Sequence, residues 1–132
     1  MSSVRIEPAR WQAVEETLIA HERVLAAWLF GSAQTGTVAW GSDIDIGVLF
    51  AHTPTLDELA DLRGDLQDAL DFDDIDLVVL NRASPITRFE AISGRSLFCR
   101  DLGRRAEFAS LTAREYEDDM AMVARALRMK AV

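Results

Sequence analysis

The sequence has a single cysteine, Cys99, among its 132 residues, so an internal disulfide cannot form, and a reducing cytoplasm is the expected compartment. Long apolar runs are missing too. The longest candidate, Val24 to Phe30, has the size of a strand and falls far short of the roughly 20 residues that a membrane span needs. The opening stretch Met-Ser-Ser-Val-Arg-Ile-Glu-Pro has no apolar signal core, so nothing in it suggests export. Positive charge is scarce: 14 Lys and Arg stand against 22 Asp and Glu, a formal net charge of −8. Such a surface repels phosphate backbones, which argues against a polynucleotide as the main substrate. A nucleotide bound through a metal ion and a basic partner surface both suit the balance better. Repeats, low-complexity tracts and linkers are absent, and the chain reads as one domain, 1–132, with one core.

The apolar spacing defines the elements. Pro8 suits the first turn of a helix near residues 8–22, with Trp11, Val14, Leu18 and Ile19 at helical spacing. Val24 to Phe30 is a buried strand that stops at Gly31-Ser32. Residues 31–42, rich in Gly, Ser and Thr, form a loop with room for one helical turn, and Ile44 to Phe50 is a second strand. Thr55-Leu-Asp-Glu58 is a capping box opening a helix through Leu70. Ile75 to Leu80 is a third strand, Ser84-Pro85 starts another helix ending near Gly94, and Ser96 to Arg100 is a short edge strand. The tail from about Arg105 to Lys130 is helical, with Phe108, Leu111, Met120, Val123 and Leu127 on a stripe expected to be core, or part of a dimer or partner surface. Thr112-Ala-Arg-Glu115 is a possible second capping box dividing it into two helices. The order α-β-loop-β-α-β-α-β-α predicts an α/β (α+β) fold with a mixed four- to five-stranded sheet flanked by helices.

Three features converge on chemistry. Gly31-Ser32 directly follows a strand, where glycine permits close approach of a ligand to the backbone and exposed N–H groups suit a phosphate. Asp43-Ile-Asp45 opens the next strand, so both aspartates point to one face about 6.6 Å apart, while Ile44, Ile46 and Val48 face the core. Asp76 lies inside the apolar run Ile75-Asp76-Leu77-Val78-Val79-Leu80, where a charge is costly unless paired or bound to metal. If the third strand lies beside the second, the three carboxylates share a face and repel one another by about 3 kcal/mol per pair at 5 Å and an effective dielectric near 20. No Lys or Arg occurs from Gly31 to Asp45. An all-oxygen metal site for Mg²⁺ or Mn²⁺ is the natural answer, and two ions would suit an in-line phosphoryl displacement.

Gly31-Ser32, ten residues, then Asp43-x-Asp45 resembles the signature of the DNA-polymerase-β-like nucleotidyltransferases, and Asp76 resembles their third carboxylate. The short chain and the run from Ile75 to Pro85 look most like the minimal nucleotidyltransferases (MNT), from Val24 to about Asp101. The resemblance implies a polymerase-β-like palm that binds ATP with its triphosphate on Gly31, Ser32 and Ser42. Asp43, Asp45 and Asp76 would hold two Mg²⁺ ions, and Asp76 would take the proton of an acceptor hydroxyl. It also implies a partner: MNT proteins act as antitoxins to HEPN-domain ribonuclease toxins, some by transferring AMP to a toxin tyrosine. The turn here, Gly31-Ser32-Ala33-Gln34-Thr35-Gly36, departs from relatives that carry arginine after Gly-Ser.

Other residues have plainer readings. Asp71, Asp73 and Asp74 read as a solvated loop, Trp11 and Trp28 as core, Cys99 as packing, and His21 and His52 as surface residues without metal-ligand spacing. Trp40 suits a base cover, a partner contact or a loop anchor equally. Arg82 and Arg88 follow the third strand and could reach a phosphate or form surface ion pairs. Two further functions are open besides AMP transfer to a protein: an antitoxin acting by binding alone, and transfer to a small molecule such as an aminoglycoside.

Overall fold

Strands β2 (Val24–Phe30) and β4 (Ile44–Phe50) form the centre of the sheet in the computed structural model, which describes residues 3–39 and 41–130. All of β2 is buried, as expected for an unbroken apolar strand covered on both faces. β4 pairs antiparallel with β2, β5 (Ile75–Val79) parallel with β4, and β6 (Arg95–Cys99) antiparallel with β2, giving the mixed order β5-β4-β2-β6. The sheet, its strand assignments and the edge position of β6 match the sequence reading.

The pleat divides the core. On one face α1 (Pro8–Ala20) and α2 (Leu56–Leu70) bury Trp11, Val14, Leu18, Leu62 and Leu66 against Ile44, Ile46 and Val48. On the other, α3 (Pro85–Ile92) and α4 (Leu102–Lys130) pack around Leu25, Trp28, Leu49 and Ala91. Each helix start is specified locally. Thr55 Oγ1 accepts from the Glu58 N–H at 3.1 Å while Glu58 Oε1 accepts from the Thr55 N–H at 3.3 Å, a capping box worth about 1 kcal/mol. Ser84 Oγ accepts from the Thr87 N–H at 3.3 Å, with Pro85 in the first turn. Because α2 crosses over between two parallel strands, it places the starts of β4 and β5 side by side. The Ile44 N–H donates to the Asp74 carbonyl at 2.8 Å and locks that register.

The structure departs from expectation in three places. Residues 31–42 form a 3₁₀ turn, Gly31–Thr35, and then a short strand β3 (Thr37–Ala39) paired antiparallel with β1 (Ser3–Arg5). Three-residue strands are too short to show alternation. The tail is one helix, and Thr112 is buried within it rather than capping anything. The apolar stripe is not core: Leu111, Val123 and Leu127 are 45%, 49% and 63% exposed. A helix of 29 residues spans about 43 Å, while strands of this sheet span about 17–24 Å, so the second half of α4 runs past anything it could pack on. Phe108, near its start, does reach the sheet, 6.2 Å from the Trp28 ring centre. His21 bonds Asp65 at 2.7 Å between α1 and α2, His52 is exposed, and Cys99 is half-buried. Trp40 lies outside the described residues.

Candidate active site

The site sits where β2 ends and β4 and β5 begin. Gly31 follows β2 with φ +72°, a left-handed conformation that L side chains rarely adopt. It is also the point of closest approach to the acidic cluster: a Cβ on Gly31 would fall far inside van der Waals contact with Oδ2 of Asp45. Ala33, fully buried, pins the 3₁₀ turn to the core. Gln34 Nε2 braces the turn by donating to the Gly31 carbonyl at 3.2 Å. Ser32 is exposed on this turn, and Ser42 is half-buried just ahead of Asp43.

Parallel pairing sets Asp45 directly beside Asp76, and antiparallel pairing sets Asp45 opposite Phe30, one residue before Gly31. Asp43 stands exposed before β4. The structure therefore brings Gly31, Asp43, Asp45 and Asp76 together as the motif spacing implies. One premise is corrected. Asp76, expected to be a charge caught within an apolar strand, is exposed because it lies on the edge strand. Asp45, on the central strand, is the partly buried carboxylate. Burial, foremost, and then the charges of Asp76 and Asp43 raise its pKa above 3.8. A side-chain hydrogen bond with Asp76 and the charge of Glu90 push the same way.

Glu90 was not legible in the sequence. It lies on α3, whose Ala91 side chain would be 3.1 Å from a Cβ on Gly47, so the helix rests on the face of β4 that carries Asp45. No spacing from Asp43, Asp45 or Asp76 marks it. Arg88, considered for phosphate, is instead committed to the protein: its Nε and Nη2 donate to the Leu80 and Asn81 carbonyls at 2.8 and 2.7 Å. Arg82 is exposed.

Carboxylates crowded in this way without a cation suit a divalent metal. Among the described residues no three acidic, His or Cys side chains are grouped closely enough to hold a metal ion by themselves. That is compatible with Mg²⁺, which commonly takes one or two carboxylates and fills its remaining positions with water and substrate phosphates. A carboxylate pair facing a glycine turn can thus receive a metal-bound polyphosphate.

A mixed sheet with this carboxylate pair beside a Gly-Ser turn defines a nucleotidyltransferase palm. Residues 12–102 match the polymerase beta nucleotidyltransferase family, and the chain belongs to that family. Similar solved structures span nearly the whole chain. One is an MntA–HpeT toxin–antitoxin double aspartate-to-glutamate mutant, 25% identical over 92% of this chain and 98% of that one, with TM-score 0.74. Another is the MNT antitoxin in complex with the tri-AMPylated HEPN toxin of Shewanella oneidensis, 25% identical over 93% and 97%, with TM-score 0.70. A third is a toxin–antitoxin structure with AMP-PNP, 28% identical over 89% and 98%, with TM-score 0.69. No curated protein matches the chain in sequence.

Proposed function

We propose that this nucleotidyltransferase transfers AMP from ATP to a hydroxyl of a HEPN-type toxin, a tyrosine being the natural acceptor, and so acts as the antitoxin of the pair. The observation that carries this reading is the Asp45–Asp76 pair in register beside the Gly31 turn. The resemblance to MNT antitoxins in complex with HEPN toxins, one of them AMPylated, supports the choice of acceptor. In this reading the N–H groups of Gly31 and Ser32 and the hydroxyls of Ser32 and Ser42 hold the triphosphate. Asp43, Asp45 and Asp76 hold Mg²⁺, two ions being the natural number, with Mn²⁺ able to substitute. The metal supplies charge neutralisation on the phosphates and on the leaving group. Asp76, the exposed member of the pair, faces incoming acceptor and takes the hydroxyl proton. The acceptor oxygen bonds to the α-phosphorus, the bond from that phosphorus to the α,β-bridging oxygen breaks, and pyrophosphate departs.

The cytoplasm is the proposed place of action, consistent with a lone half-buried cysteine. Among the described residues no helix is long and apolar enough to cross a membrane. A rival reading, neutralisation by binding alone, is favoured by the lack of any Lys or Arg from Gly31 to Asp45. Intact masses of both proteins, taken after incubation with a HEPN protein encoded beside this chain, ATP and Mg²⁺, separate the two. AMP adducts on the HEPN protein, lost with Asp43→Ala, establish transfer. A stable complex without adducts establishes binding alone.

A further inference from the structure

A triphosphate brings several negative charges to a site already lined by Asp43, Asp45 and Asp76, and the turn that would cradle it holds no cation. The fold brings one from another strand. Arg95 opens β6 and stands opposite Leu29 in the β2–β6 ladder, two residues before Gly31. Strand spacing and rise put their Cα atoms about 8 Å apart, within reach of an extended arginine. Arg95 shares the α1 side of the sheet with Leu29. There its guanidinium lies 5.5 Å from the centre of the Trp11 ring. The indole Nε1 of Trp11 in turn lies 3.9 Å from where a Cβ on Gly36 would sit, at the end of the 3₁₀ turn. Trp11 thus borders both the guanidinium and the Gly36 end of the turn, and cation–π attraction favours this placement of the guanidinium.

Arg95 is also uncommitted. Arg10 and Arg23 are paired with carboxylates, and Arg63, Arg88 and Arg100 hold backbone carbonyls. Among the described residues the Arg95 guanidinium has no hydrogen bond or ion pair, despite the net charge of −8. It is exposed at the rim of an open cavity of about 300 Å³ whose one carboxylate is Glu15. Arg5, on β1, is the other cation bordering the turn, opposite Thr37 and one residue past Gly36.

We infer that Arg95 binds the β- and γ-phosphates of the nucleoside triphosphate, supplying from β6 the cation that the Gly31–Gly36 turn lacks. This rests on the AMP-transfer reading. The test is calorimetric titration of the intact chain with ATP and Mg²⁺, and with AMP by competition. A charge-assisted contact of this kind is worth roughly 10- to 100-fold in affinity. Arg95→Ala is expected to weaken ATP by that factor and leave AMP unchanged. Arg95→Lys should recover to within about fivefold, since it keeps the charge and loses the fork. Equal ATP affinity in wild type and Arg95→Ala overturns the inference while leaving the transfer reading intact. Equal losses of ATP and AMP overturn it too, because they mark a structural role. If wild type binds neither nucleotide, the transfer reading fails and the role of Arg95 fails with it.

Discussion

Gly31→Ala separates backbone strain from active-site geometry. The φ of +72° costs an alanine about 1–2 kcal/mol. For a chain of this size that lowers Tm by roughly 3–10 °C. The new methyl group also meets Oδ2 of Asp45. Because that atom ends a rotatable side chain, the carboxylate can swing aside at little further cost in stability. Relief requires a shift of about 1 Å, and a misplacement of that size at a reacting centre costs about 100-fold in rate. Gly36→Ala is the matched control. Its φ of +84° imposes similar strain, but its nearest neighbour is Trp11 Nε1 at 3.9 Å, not Asp45. Thermal melts and AMP-transfer rates of both variants are the assay. Both should melt lower by a similar amount, while Gly31→Ala alone loses about two orders of magnitude in transfer. Transfer by Gly31→Ala at the rate of Gly36→Ala would refute the claim that Gly31 is there to admit the Asp45 carboxylate.

Asp45→Asn tests the crowding of charge. Burial first, then Asp76 and Asp43, raise the Asp45 pKa above 3.8, so the folded chain holds this proton more tightly than the unfolded chain does. Stability from this group is full below 3.8 and is lost as pH rises through the raised folded value. In chelator at pH 7 the Asn variant should therefore melt above wild type, the gap closing as pH falls toward 3.8, and Mg²⁺ should raise the wild-type Tm alone. Gly94→Ala drives a methyl into the Leu29 carbonyl and against the Phe30 side chain, a backbone clash expected to cost about 3 kcal/mol in a denaturant titration. Thr112→Val removes a fully buried hydroxyl that has no hydrogen-bond partner among the described residues. It should stabilise the chain by about 1 kcal/mol, read as an upward shift of the denaturation midpoint.

What could be read in the sequence was local. The apolar run of β2, the Thr55–Glu58 capping box and the Gly31-Ser32…Asp43-x-Asp45 spacing each follow from a few adjacent residues, and each stands where expected. Asp76 was located by its place in an apolar strand. Its exposure was not legible, because whether a strand is central or at an edge depends on the order of strands, not on its own residues. Glu90 and Arg95 join the site through α3 packing and β6 pairing, contacts that no spacing encodes. The stripe on α4 misled for the opposite reason. Its periodicity is that of a core helix, but helical spacing says nothing about how far the sheet beneath extends.

The most direct test of the central claim follows the label from ATP into the HEPN partner. With ATP labelled at the α-phosphate and Mg²⁺, label is expected on the partner protein, with release of pyrophosphate. No label is expected on the partner from γ-labelled ATP, and none from either with Asp45→Asn. Label from the γ-position, or undiminished transfer by Asp45→Asn, would contradict the account.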